Sequence, residues 1–204
     1  MGCAVTTGFG VINNNARLKI GESIVIIGAG GIGLSIIQGA QLSSAHPIIA
    51  VDIHDQKLRL ARRLGATHGI NARKKEVRRE VLRIVGTRGC DVAVDNTGSA
   101  RMIEAAYELT AGNGRTVLVG VPGRDQKARI YTLPLHFEKT IKGSHGGEAD
   151  PSRDIPRYVN LYLKGKLPLE RLITHRFDFR QINKAIAMIR RGAITGRCMI
   201  TFNH

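Results

Sequence analysis

The stretch "SIVIIGAGGIGLS" (residues 23–35) constrains the fold of this chain more than any other. A run of β-branched apolar residues meets a glycine-rich turn, and a helical-period segment follows at once. Gly28, Gly30 and Gly33 stand in the order G-x-G-x-x-G, with Gly31 and Ile32 between them. With 24 glycines in 204 residues that spacing alone arises easily by chance, so the context decides. A strand before the turn and a helix after it are what a diphosphate cradle needs. Gly28 permits the tight turn, Gly30 lets a diphosphate approach the backbone, and Gly33 allows close helix–sheet packing. Amides at the helix N-terminus then face the negative charge, helped by the helix dipole.

The same alternation continues downstream. "PIIAVD" reads as a strand, and "DQKLRLARRLG" as a helix with Leu58, Ala61 and Leu64 on one face. "CDVAVDNTG" and "RTVLVGVPG" read as further strands, separated by the helical "RMIEAAYELT". These strands are continuous apolar runs, which implies cover on both faces and therefore a parallel sheet. The expected fold is α/β, a doubly wound parallel sheet of the Rossmann type. Asp52 ends the second strand, 19 residues after Gly33. A carboxylate there accepts hydrogen bonds from a ribose and repels a 2′-phosphate, which points to NAD in preference to NADP.

Beyond Pro134 the rhythm changes. "HFEKTIKGSHGG" reads as one or two strands ending in a glycine turn. Ile155, Val159, Tyr162 and Leu163 fall on one helical stripe, and Ile182, Ala185, Ile186 and Ile189 on another that stops at Gly192. "GRCMITF" is a terminal strand. The expected division is a dinucleotide-binding domain over residues 1–150 and a helix–strand extension over 151–204.

Charge and cysteine usage narrow the classes. The formal net charge is +15, and "ARKKEVRREVLRIVGTR" alone carries seven basic and two acidic side chains. That segment reads as a helix with Val77, Ile84 and either Val81 or Leu82 inward and its charges in solvent. No aromatics are interleaved for base stacking, so nucleic acid is not the expected partner. Three widely spaced cysteines make no disulfide framework, and no apolar run is long enough to span a bilayer. A cytoplasmic location is the expectation. Cys90 and Cys198 read as packing residues, and no two histidines stand at metal spacing.

Taken together, "GCAVTTGFG", "VIIGAGGIGLS", "VDIHDQKLRLARRLGAT", "VLVGVPG", "IKGSHGG" and "TGRCMITF" resemble the cofactor-binding and C-terminal part of the zinc-type medium-chain alcohol dehydrogenases, in that family's order and spacing. The resemblance implies roles residue by residue. Cys3, just before a Thr-Gly turn, matches a ligand of the catalytic zinc. Thr7 and Ile32 match positions behind the nicotinamide ring. Asp52 and Lys57 match the pair that holds the adenosine ribose, with Thr97 along the adenosine half. Val119, Gly120 and Val121 match the strand end beside the nicotinamide, and Ser144 and Gly146 offer backbone partners to its carboxamide. Arg197 matches an arginine that contacts the diphosphate. His145 lies where the family varies, and a role in lining the site is open.

The resemblance also implies what this sequence lacks. Two further zinc ligands and the proton relay belong to an N-terminal catalytic domain, to which the C-terminal extension would return. Two readings stay open: the NAD-binding part of a zinc-dependent alcohol dehydrogenase that interconverts an alcohol and a carbonyl compound, or a free-standing NAD-binding module without catalysis. Exposed apolar surface is expected around the terminal strand and the opening helix. A homodimer through the sheet edge near "HFEKTIKG" is the expected assembly.

Overall fold

Four apolar residues in a row make β1 (Ile24–Ile27), and the sheet is built outward from it. In the computed structural model, which describes residues 1–202, β1 pairs in parallel with β2 (Ile48–Asp52) on one side and β4 (Cys90–Asp95) on the other. β3 (His68–Asn71) continues beyond β2, while β5 (Thr110–Leu118) and β6 (Thr140–Gly143) continue beyond β4. The order β3-β2-β1-β4-β5-β6 is the doubly wound parallel sheet that the apolar runs predict. Asn203 and His204, the end of the expected 151–204 extension, lie outside the described residues.

The sheet sorts its side chains by parity. Ile24 and Ile26 join one core with α2 (Gly31–Leu42) and α3 (Asp55–Arg63); Val25 and Ile27 join a second, with Val81 of α4 (Val77–Val85) and Ala106 of α5 (Ala100–Leu109). Successive strand residues point to opposite faces, so a strand apolar at every position needs helices on both sides. Each fully buried Ile or Val side chain contributes roughly 1.5–3 kcal/mol.

Several local expectations change. On the basic helix α4, Val81 is the inward residue and Leu82 is only half-buried. Its charges are not all in solvent, because Glu80 is buried beneath Lys75 and Arg83, both 3.1 Å from its Oε2. The expected Thr-Gly turn behind Cys3 is instead helix: α1 (Cys3–Gly10) runs through Thr7 and Gly8 and continues as one turn of π-helix, Val11–Ala16. Ala4, Val5, Phe9, Val11 and Ile12 are all buried, so the opening helix does not expose the expected apolar surface. Low helix propensity at threonine and glycine yields here to packing: small residues let α1 lie against Ser35 of α2 and against Gly147.

"HFEKTIKG" supplies one strand, β6, preceded by a short 3₁₀ turn at Leu133–Phe137. β6 is an edge of the sheet. Past it, α6 (Pro151–Leu163) buries a face other than the one expected, and α7 (Ile182–Arg190) buries only Ala185 of its expected stripe. α6 turns Asp154 and Tyr158 inward, with the Tyr158 ring 4.9 Å from that of Phe9, and leaves Val159, Tyr162 and Leu163 exposed. α7 buries Ala185 and leaves Ile182, Ile186 and Ile189 exposed. "ITHRFD", not anticipated as a strand, forms β7 (Ile173–Asp178) and pairs in parallel with the terminal strand β8 (Arg197–Thr201) as a separate two-stranded sheet. Met199 and Phe202 are exposed, as expected around the terminal strand.

Candidate dinucleotide site

The turn after β1 is shaped by steric necessity. Gly28 sits at φ +98°, a left-handed conformation that side chains rarely adopt, and its amide donates to the Val51 carbonyl at 2.8 Å. A Cβ on Gly33 would overlap the Gly28 carbonyl oxygen, so only glycine lets α2 begin this close to β1. A Cβ on Gly30 would meet open space, and Gly30 caps α2 with no side-chain partner. The first amides of α2 therefore face an unfilled approach, where a diphosphate would find the positive end of the helix dipole.

Asp52 closes one side of this cleft. The carboxylate is only 8 % exposed; one oxygen accepts from the Ala29 amide and the other from the His54 amide, each at 2.9 Å. Lys57 Nζ stands 3.9 Å from Asp52 Oδ2. Two amides and one ammonium leave lone pairs free, since a carboxylate has about four acceptor positions. On the other side, Asp95 at the end of β4 is fully buried and accepts from Thr97 N, Thr97 Oγ1 and Gly98 N at 2.7–3.1 Å. That folds "DNTG" into a turn that presents Thr97 to the cleft. Gly28, Gly30, Asp52, Lys57 and Thr97 thus line one cavity of about 330 Å³.

The other predicted residues extend from this cavity along the carboxyl ends of the strands. Gly120 packs on the Thr97–Gly98 backbone so tightly that a Cβ would overlap the Gly98 nitrogen. Val119 donates its amide to the Asp95 carbonyl at 2.8 Å, while Val121 lies past the end of β5 and is 90 % exposed. Ser144 spends its amide on the Leu118 carbonyl at 2.8 Å and its hydroxyl on Asn15 Oδ1 at 2.7 Å, which leaves its carbonyl for any ligand. Gly146 follows in the turn whose Gly147 abuts Thr7, and His145 is exposed. Thr7 Oγ1 lies 3.7 Å from Cys3 Sγ. Ile32 is half-buried against the first core. Arg197, on β8, lies against the start of α2: a Cβ on Gly31 would come within 2.9 Å of its Nη1.

Further groups at the cleft carried no motif. Ile53, His54, Asn96 and Met102 line the same cavity. Asp95 and Asn96 were legible as turn formers at a strand end. Ile53 and Met102 gave no signal, because an apolar residue beside a strand or helix reads as core.

A metal is a different matter. Cys3 is exposed, and among the described residues no group of three or more His, Cys, Asp or Glu side chains converges to hold a metal ion. Catalytic zinc takes three protein ligands, so the residues present do not fit a zinc ion by themselves. Burial pushes the Cys90 thiol up to about 12, which removes it from metal or nucleophilic chemistry near neutrality. Cys198 packs against the small core of Phe177, Ala185 and Ile194.

Comparison with known proteins agrees with this geometry. Residues 31–164 match the family model described as zinc-binding dehydrogenase. Alcohol dehydrogenase 1 of Pisum sativum is 36% identical over 202 residues, covering 98% of this chain and 53% of that protein. The benzyl alcohol dehydrogenase of Acinetobacter calcoaceticus superimposes with a TM-score of 0.92 at 33% identity, over 99% of this chain and 55% of that one. An alcohol dehydrogenase zinc-binding domain protein from Burkholderia ambifaria gives the same TM-score and identity, over 100% and 54%. The chain spans about half the length of the curated relatives it matches. With its sheet order, its glycine turn and these relatives in agreement, the chain belongs to the zinc-binding dehydrogenase family, corresponding to the C-terminal half of its alcohol dehydrogenase relatives.

Proposed function

We propose that this chain binds NAD(H) as the cofactor half of a zinc-type alcohol dehydrogenase. The observation that carries the reading is the Asp52 carboxylate tied to the Ala29 amide of the Gly28–Gly33 turn, with Gly28, Gly30 and Asp52 on one cavity and Arg197 held against Gly31. Asp52 accepts from the adenosine ribose hydroxyls and disfavours a 2′-phosphate, and Lys57 donates beside it. The amides of Gly31 and Ile32 donate to the diphosphate, and the Arg197 guanidinium offsets its charge through paired donors. Thr97 borders the adenosine half. Val119, Gly120, Val121, Ser144 and Gly146 form the far wall, with Thr7 and Ile32 behind the ring.

When bound, a nicotinamide cofactor supplies hydride chemistry at ring carbon C4. This chain binds and orients the cofactor; Cys3 is read as one zinc ligand whose companions come from outside this chain. The substrate is proposed as a small alcohol or carbonyl compound. Residues 1–150 are proposed as the cofactor domain and 151–204 as an extension that packs on the catalytic part. A homodimer through the β6 edge and a cytoplasmic setting complete the reading. No described helix is long and apolar enough to cross a membrane.

The test is an NADH fluorescence titration of the purified chain. Asp52→Ala is expected to weaken NADH binding by about tenfold or more, the equivalent of losing one charge-assisted hydrogen-bond set, and to narrow the preference over NADPH. Equal affinities in the two proteins would remove Asp52 from the site.

A further inference from the structure

Two cavities meet at the C-terminal ends of α2 and α3, at the far end of α2 from the glycine turn. The smaller, about 320 Å³, is lined in part by Gln38, Arg63, Lys166 and Arg171. The larger, about 620 Å³, shares Arg63 and Arg171 and adds Thr174 and His175. Arg63 ends α3, Lys166 follows α6, and Arg171 precedes β7, so three separate elements bring cations to one place. None of the three has an ion-pair partner among the described residues. The single acid of the segment 164–172, Glu170, lines a different cleft, beside Arg176 and Met199. A helix dipole favours Arg63 in the last turn of α3, but gives no reason for Lys166 and Arg171 to line the same cavity.

Gln38 is an independent observation. It is 2 % exposed, its Nε2 donates to the Pro168 carbonyl at 3.2 Å, and its Oε1 has no hydrogen-bond partner. A flipped amide would set Gln38 Oε1 against the Pro168 carbonyl oxygen, two acceptors face to face, so the amide orientation is fixed and the oxygen is the group left over. An unsatisfied buried acceptor costs about 1–3 kcal/mol, which a ligand hydroxyl at this point would recover. The cations call for an anion and the amide oxygen calls for a donor.

We propose that this is a binding site for a small phosphate monoester of a polyhydroxy compound, with hydrogen phosphate as its minimal form. The phosphate oxygens accept from Arg63, Lys166 and Arg171, and a hydroxyl of the ligand donates to Gln38 Oε1. The site is separate from the dinucleotide cleft and does not rest on the cofactor reading.

Calorimetric titration of the purified chain at constant ionic strength tests it, with inorganic phosphate and glycerol phosphate as ligands and sulfate as the control. Sulfate matches phosphate in shape but carries no hydroxyl at neutral pH. Phosphate is expected to bind about tenfold or more tightly than sulfate. Gln38→Leu should erase that preference while keeping sulfate binding. Arg63→Gln with Arg171→Gln, both at exposed positions, should weaken phosphate about tenfold or more with unchanged circular dichroism, and NADH titration should be unaffected. Arg197→Gln should leave phosphate binding as it was. Equal affinity for phosphate and sulfate, no phosphate binding, survival of binding in the double variant, or binding that follows Arg197 would each overturn the proposal.

Discussion

The two ends of this chain use the same amphipathic vocabulary and resolve it oppositely. In residues 1–150 the apolar stripes of α2 to α5 find the sheet, and Leu34, Ile36, Leu58, Val81 and Ala106 are all buried. In the described part of the rest, α6 turns its richest stripe outward and buries Tyr158 instead, and α7 buries Ala185 alone of its stripe and leaves the three isoleucines exposed. Leu163 is 73 % exposed. A parallel sheet with both faces to cover absorbs every stripe offered to it, whereas the two-stranded pair β7–β8 has too little surface to do so. The contrast teaches that a helical stripe specifies a buried face without specifying what buries it.

The largest effect is expected from the sheet. Ile26→Ala should cost about 3 kcal/mol in urea unfolding, because the residue is fully buried on the central strand. A cost below about 1 kcal/mol would mean the two regions are less different than their burial suggests. Gly33→Ala comes next, at about 2 kcal/mol, since the added methyl overlaps the Gly28 carbonyl and must push α2 away. The same variant should lose NADH affinity. A neutral Gly33→Ala would show that the turn has slack.

The outward stripes should respond in the opposite sense. Leu163→Ser and Ile189→Ser are expected to change stability by no more than about 0.5 kcal/mol in urea unfolding. A loss of about 2 kcal/mol in either would mean that these side chains are covered within the chain.

The smallest effect sharpens the picture on α4. The Lys75 hydrogen bond holds the Glu80 carboxyl below its ordinary 4.5, with Arg83 adding to the effect. A lowered folded-state value means a contribution present above about pH 4.5 and lost as pH falls through the folded value. Glu80→Gln should therefore lower the urea midpoint slightly near neutrality and flatten its decline in acid. An unchanged acid limb would show that Glu80 contributes nothing to it.

Much of the site was legible because its chemistry demands unusual residues. Gly28 and Gly33 are required by a left-handed turn and a close approach, and Asp52 by its place at a strand end. Cleft residues whose types are ordinary, such as Ile53 and Met102, carry no such mark. At Thr7–Gly8 local propensity favours a turn, while the packing of α1 on α2 overrides it and keeps the segment helical.

The sequence by itself determined the parallel sheet, through strands apolar at every position, and the tight turn between the first strand and its helix, through Gly28 and Gly33. Only the tertiary structure decided which face of α6 and α7 is inside, that "ITHRFD" pairs with the terminal strand, and that Arg63, Lys166 and Arg171 line one cavity with the buried Gln38. The reason is physical: periodicity and backbone conformation are local and written residue by residue. The partner that covers a stripe, or the company a charge keeps, depends on other chain segments, from two dozen positions away for β7 and β8 to more than a hundred for Phe9 and Tyr158.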